Sequence, residues 1–246
     1  MNTQTKSARY GFDAPGIMKG LLLGGLVGTG LAVAGVVFFS GWLRVAAMLV
    51  AAVAIVFLLL GLSMLIYGLI GKLRMRDYMM DLIAWRGDEQ VLDIGTGRGL
   101  LLIAAAKKLR QGGRAIGIDI WRAEDLSDNS LDRLAENVKA ERVENQVTLL
   151  TEDAHKLSFA DASMDVILAL YCIHNIEDKG EQCAALLEIV RVLKPGGRVL
   201  IAEWMPIGGY DKIFREAGLT IRSNRSHFGT ALTLMWMIDA EKPLLN

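Results

Sequence analysis

Three glycines spaced every second residue, Gly95, Gly97 and Gly99, stand directly behind the mostly apolar run Val91-Leu92-Asp93-Ile94. A loop so poor in side chains serves one of two ends: a tight turn that needs glycine sterically, or a surface on which a small molecule touches the backbone. Glycine suits both, because it tolerates positive φ and has no Cβ to hold a ligand away. Asp119 closes the next apolar stretch and favours the second reading. A carboxylate at the end of a neighbouring strand can accept hydrogen bonds from a ribose diol. Gly95-Thr96-Gly97-Arg98-Gly99 is one residue shorter than the dinucleotide fingerprint, and Asp93 lies two residues before the first glycine. That carboxylate suits a cationic or amine-bearing ligand better than a pyrophosphate, and no phosphate-cradling P-loop pattern occurs.

Such groups need a sheet behind them. From Gln90 onward short apolar runs alternate with helical periodicity, the pattern of strand, helix, strand units around a parallel sheet. The pattern predicts strands over 90–94, 114–119, 147–151, 164–170 and 197–203, with helices over 99–109, 130–141 and 179–193. The tail reads as a helix over 210–217 and two strands, 219–223 and 231–238, whose short connection implies an antiparallel pair at one sheet edge. Lys194-Pro195-Gly196-Gly197 reads as a turn before the fifth strand. The fold expected is α/β, a Rossmann-like doubly wound sheet, mostly parallel, with an antiparallel C-terminal strand pair.

Ahead of it the composition changes. The 246 residues are 52% hydrophobic and only 22% charged, more apolar than a soluble domain of this size requires. No charge occurs from Gly20 to Leu43 or from Val45 to Gly71, each longer than the roughly 20 residues that cross a bilayer as a helix. Two transmembrane helices are therefore expected, about 17–39 and 45–70, joined by Ser40 to Arg44 as a hairpin. Lys6, Arg9 and Lys19 on one outer flank and Lys72, Arg74 and Arg76 on the other, against Arg44 alone in the loop, place both ends in the cytoplasm. Ala32-Val33-Ala34 resembles a signal-peptide cleavage site, but the apolar run continues past it and a second span follows. Gly20, Gly24 and Gly28 form a small-xxx-small stripe on which the two helices could pack. The chain thus divides into a membrane hairpin, 1–71, a connecting amphipathic segment, 72–87, and a catalytic domain, 88–246.

VLDIGTGRG, GIDIW, EDAHKLSFADASMDVILA and VLKPGGRVLIAE, in that order and spacing, resemble the class I S-adenosylmethionine-dependent methyltransferases. The resemblance covers about 88–240 and implies S-adenosyl-L-methionine as cofactor. It implies that the loop Asp93, Gly95, Thr96, Gly97 and Gly99 contacts the methionine part and that Asp119 binds the ribose, with Ile120 and Trp121 beside the adenine. Asp153 and Ala154 would meet the adenine edge, and Leu170 and Tyr171 would floor the site near the methyl donor. Trp121 could instead simply cover the sheet edge. The polar segment 122–129 is longer than the usual connection; it shapes an entrance or, on the simpler reading, is an exposed loop.

A sulfonium methyl is already electrophilic, so the protein mainly positions two reactants, and a base is needed only if the nucleophile arrives protonated. His174, after the fourth strand, is the candidate catalytic base; the alternative is a local hydrogen-bonding or capping role. Between the fifth strand and Tyr210 no substrate lid is expected, which leaves 72–86 and the His174 loop to cover the pocket. The approach from the membrane suggests a lipophilic small-molecule acceptor, such as a quinone precursor or lipid, with the lipid bilayer as the other partner. Net charge is zero and the basic residues are scattered, so no nucleic acid is expected. Cys172 and Cys183 have no zinc-like spacing with His155, His174 or His227, so no metal is expected and the thiols read as idle. Two other functions fit the same features: a non-catalytic nucleoside-binding membrane scaffold, and a nicotinamide-dependent oxidoreductase, which the short glycine spacing disfavours.

Overall fold

A computed structural model describes residues 8–110, 112–204 and 209–244. Lys6 and the segment 205–208, where the absence of a lid was expected, lie outside the described residues.

Two long helices come first, α1 (Pro15–Phe38) and α2 (Gly41–Ile66), and both are long and apolar enough to cross a membrane. Their connection is shorter than the sequence suggests, because extended Ser40 turns the chain at once and Trp42 to Arg44 join α2. Of the expected stripe on α1, only Gly28 lies at the tight contact. Gly20 meets nothing within 4 Å, whereas a Cβ on Gly25 would approach Leu58 N to 2.8 Å and one on Gly35 would approach Ala47 Cβ to 2.9 Å. Gly25, Gly28, Ala32 and Gly35 follow the alternating three- and four-residue steps that keep a stripe facing its partner, whereas steps of four alone drift off it.

Nor does α2 stop at the expected boundary. One wide π-helical turn, Tyr67–Gly71, carries it straight into α3 (Lys72–Asp81), giving a continuous helix Gly41–Asp81. Met75 and Met79 of α3 are fully buried, and burial of each such side chain contributes about 1.5–3 kcal/mol. The segment between hairpin and sheet is thus core rather than linker.

The sheet contains β1 (Gln90–Ile94), β2 (Arg114–Asp119), β3 (Val147–Thr151), β4 (Met164–Leu170), β5 (Leu193–Glu203), β6 (Thr220–Ser226) and β7 (Trp236–Glu241). Its order is β3-β2-β1-β4-β5-β7-β6, parallel through β5, with β7 antiparallel to both neighbours. Alternation along the strands supplies two cores. Val91, Val166 and Leu200 face α3 and α4 (Leu100–Ala106), with α5 (Leu131–Ala140) beyond. Leu92, Ile167 and Val199 face α6 (Lys179–Val192) and α7 (Tyr210–Glu216).

Three boundaries differ from the sequence reading. α4 ends at Ala106, short of the expected 109. β5 begins at Leu193, with Lys194 to Gly197 forming an irregularity inside the strand rather than a turn before it. In the tail the last strand begins at Trp236 rather than at 231, and the residues read as the connection form a helical turn, α8 (Phe228–Ala231). That turn docks on the π-helical segment so closely that a Cβ on Gly71 would lie 1.8 Å from the Ala231 carbonyl oxygen.

Candidate active site

The strand order reverses between β1 and β4, and there the sheet leaves a crevice at the carboxyl ends of its strands. It opens into a cavity of about 330 Å³. The loop that floors it is built from the glycines: Gly95, Gly97 and Gly99 have φ of +65°, +51° and +83°. Gly95 is needed for packing as well, since its Cβ would stand 2.2 Å from Cys172 Sγ.

Asp119 lies at this edge because it ends β2. Its Oδ2 accepts from Gly97 N at 2.8 Å and its Oδ1 from Trp121 N at 2.6 Å, tying the first two strand ends together. A carboxylate has about four lone-pair sites, so acceptor capacity remains for a diol. Of the residues that the resemblance assigns to cofactor contact, Gly95, Gly97, Asp119, Ile120, Asp153, Ala154, Leu170 and Tyr171 line this cavity.

Four do not line it. Asp93 is buried beneath the loop, where its Oδ2 accepts from Thr96 Oγ1 at 2.8 Å and Leu102 N at 2.9 Å. It ties the loop to α4 rather than facing the main cavity. Burial pushes its carboxyl up to about 7, against the pull of those two hydrogen bonds. Thr96 is buried with it, and Gly99 packs against Leu134. Trp121 turns away, its Nε1 donating to Thr151 Oγ1 at 2.8 Å across the sheet edge.

The polar segment after β2 is not a free loop. Asp13 and Leu126 form an antiparallel bridge, Phe12 N donates to Ser127 Oγ at 2.8 Å, and Ala14 N donates to Asp125 O at 2.8 Å. A strap, residues 9–14, thus crosses the segment immediately before α1 begins, and Asp13, Arg122, Asp125 and Leu126 all line the cavity. The sequence reads 122–129 as an entrance or an exposed loop, and the structure puts it in the wall; Asp13 and the strap escape that reading, because their role depends on a pairing more than a hundred residues apart. Burial raises the Asp125 carboxyl above its ordinary range.

His174 stands just beyond the wall that Tyr171, Cys172 and Asn175 form. It is edge-on to Tyr171, with ring centroids 6.1 Å apart, and at the same distance from Trp204. Its Nδ1 is paired with Glu203 Oε2, and Glu203 Oε1 accepts from Ile173 N at 2.9 Å. Glu203 is only 1% exposed. The sequence reading passed over it, although an acid ending the apolar run of β5, at the same sheet edge as Asp119, is a signal of the same kind. Tyr171 sits in left-handed backbone, φ +54°, uncommon for a bulky residue and in keeping with its place at the site. Burial raises the Cys172 thiol well above its ordinary value, which keeps it protonated and unsuited to nucleophilic work.

Residues 91–197 match a family described as "Methyltransferase domain". Among curated proteins, demethylmenaquinone methyltransferase of Bacteroides fragilis is 36% identical over 115 residues, covering 47% of this chain and 43% of that protein. Ubiquinone/menaquinone biosynthesis C-methyltransferase UbiE of Dinoroseobacter shibae is 31% identical over 141 residues, covering 56% and 52%. The chain spans about half the length of these relatives. Among solved structures, geranyl diphosphate C-methyltransferase of Streptomyces coelicolor, in complex with Mg²⁺, geranyl diphosphate and S-adenosyl-L-homocysteine, matches in fold with a TM-score of 0.56. That match covers 68% of this chain and 78% of the other at 14% identity. Residues 91–197 thus match a methyltransferase domain, and the doubly wound sheet, glycine loop and Asp119 at the switch point are similar to those of the class I S-adenosylmethionine-dependent methyltransferases.

Proposed function

We propose that the chain transfers a methyl group from S-adenosylmethionine to a lipophilic acceptor presented at a membrane surface, with His174 as general base. The observation that carries the base is the His174–Glu203 pair, held just behind the part of the cavity wall that Tyr171, Cys172 and Asn175 form. The residues present suit the cofactor: a crevice with exposed backbone, a carboxylate at the ribose position and an acidic wall that includes Asp119, Asp125 and Asp153. When bound, S-adenosylmethionine supplies a sulfonium methyl electrophilic enough for direct in-line transfer. The chain orients the acceptor and holds its proton. Pairing of Nδ1 with buried Glu203 orients the ring and leaves Nε2 as the nitrogen to take the acceptor's proton, the arrangement in which a third group orients a base.

Support for a lipophilic acceptor comes from the surroundings of that pair. Tyr67, at the foot of α2, lies 4.9 Å from the Tyr171 ring, so the cavity wall is continuous with the end of a candidate membrane span. Trp204 and Leu234, near His174 and Tyr171, are about half exposed. Relatives named for quinone methylation agree with this chemistry. On this reading α1 and α2 form a membrane hairpin with both ends on the cytoplasmic side, where the basic flanks lie.

The test is transfer of radiolabelled methyl by the full chain in a membrane lipid extract, followed by identification of the labelled species. Label confined to the aqueous phase would reject a lipophilic acceptor. His174→Ala should lower kcat by about 10²- to 10⁴-fold while cofactor affinity stays within about twofold. Glu203→Gln should also lower kcat without changing the affinity. Undiminished turnover in His174→Ala would remove the base from the mechanism.

A further inference from the structure

The segment joining β6 to β7 runs alongside the foot of α2. Two contacts fix it there: Ser63 Oγ donates to Thr233 Oγ1 at 3.0 Å, and Gly71 lies so close that its Cβ would meet the Ala231 carbonyl oxygen. From position 63 to position 71 the helix rises about 10–12 Å. The segment therefore shares the level of the last two turns of the charge-free run that ends at Gly71.

That level is where the surface of a bilayer falls. About 20 helical residues cross the hydrocarbon, and counted from Val45, the first residue after Arg44, they end near Met64. Ile66, Leu69 and Ile70 carry an exposed apolar surface past that point, and Lys72 is the first charge beyond them. The chain beside these turns has a matching composition. No Asp, Glu, Lys or Arg occurs from Ser226 to Ile238. Ala231 and Met235 are buried, whereas Phe228 is 59% and Leu234 54% exposed. Single exposed hydrophobic residues are ordinary on a protein surface. These two flank the residues that contact α2, at the level of its own exposed apolar turns.

Basic residues stand behind this tip. Arg225 donates to Tyr78 Oη at 3.1 Å, and Arg74 lies one turn before Tyr78 on α3. Their neighbours Arg76 and Arg222 are paired with Asp77 and Glu241, whereas exposed Arg74 and Arg225 have no ion-pair partner among the described residues. An uncharged apolar tip backed by free cations suits the boundary of an anionic leaflet.

We infer that 228–234 is a second membrane contact, entering the leaflet surface beside the foot of α2, with Phe228 and Leu234 among the lipid and Arg74 and Arg225 at anionic headgroups. This rests on the hairpin reading of α1 and α2 and adds a partner for the domain itself. Its consequence for the site is a route. Tyr171 Oη donates to Leu234 O at 3.5 Å, and Tyr171 lines the cavity, so one end of the inserted segment touches the cavity wall. A lipophilic acceptor passes from the leaflet along Leu234 and Tyr171 without crossing water.

The test places one nitroxide label at a time on the full chain in bilayer discs of phosphatidylglycerol and phosphatidylcholine, through Phe228→Cys, Leu234→Cys, Leu49→Cys or Lys212→Cys. The unaltered chain serves as the labelling blank for Cys172 and Cys183. Oxygen partitions into lipid and a nickel chelate into water, so the ratio of their collision rates with the label reports depth. Exposed Lys212 on α7 marks water, and exposed Leu49 within α2 marks hydrocarbon. Labels at 228 and 234 should give a ratio several-fold above that of Lys212 and below that of Leu49. Ratios equal to that of Lys212, or shielding from both colliders as a second protein surface would give, would overturn the inference while leaving the hairpin intact. A water-like ratio at Leu49 would remove the hairpin and the inference together. Arg74→Gln combined with Arg225→Gln should lower the ratio at 228, and no change would overturn the anionic headgroup as the partner.

Discussion

The hairpin and the glycine loop both place glycine at their tightest contacts, for different physical reasons. Between α1 and α2 the backbone is ordinary helix, and what matters is missing volume: Gly25 lies against the backbone of Leu58. In the loop after β1 all three glycines have positive φ, so a side chain would be strained there even with space around it. Two helices can move apart by a fraction of an ångström to admit a methyl group. A loop hydrogen-bonded to Asp119 and Ile118, at the switch point of a sheet, has nowhere to go.

The sharpest way to break this comparison is Gly95→Ala. Positive φ and the clash with Cys172 Sγ together cost about 2–5 kcal/mol. S-adenosylhomocysteine binding should accordingly fall by about a hundredfold, and near-native affinity in calorimetry would return the loop to a mere turn.

A smaller effect is expected in the hairpin. Gly25→Ala should destabilise the full chain by about 1–3 kcal/mol, read as a lowered thermal midpoint in detergent. Gly20→Ala, with nothing within 4 Å, should be silent or slightly stabilising through helix propensity. Equal effects at the two positions would place the contact stripe elsewhere.

A third difference separates the regions by pH. No Asp or Glu lies between Pro15 and Ile66, so the hairpin has no acid to titrate. The loop is held by buried Asp93, whose folded-state carboxyl is raised to about 7 from 3.8. Between those values the folded protein binds a proton that the unfolded chain does not, so stability is highest at the acid end and declines as pH rises toward 7. The slope contributed can approach about 1.4 kcal/mol per pH unit. Asp93→Asn retains an oxygen for Thr96 and Leu102 and should flatten that decline; an unchanged profile of thermal midpoint from pH 5 to pH 8 would show that Asp93 does not cause it.

Legibility follows the range of the interactions. β1, β2, β3 and β4 fall where the apolar runs put them, since a buried strand writes its limits into its own hydrophobicity. Chain order and the acid at the end of β2 located one edge of the site, because the carboxyl ends of parallel strands share one side. Glu203, at the end of β5, was readable by the same rule and was passed over. The face of α1 was legible only at Gly28, because two nearly uniform apolar helices offer no local sign of which glycines meet.

By itself, therefore, the sequence determined the parallel sheet, the glycine loop, two spans of membrane length and the family that the domain resembles, all properties of local patterns and of their order along the chain. Only the tertiary structure decided that α2 runs unbroken into the core, that Lys72 binds the strap over the segment after β2, and that Glu203 pairs with His174. Those contacts join residues roughly 30 to 115 positions apart, and no local preference of the chain encodes them.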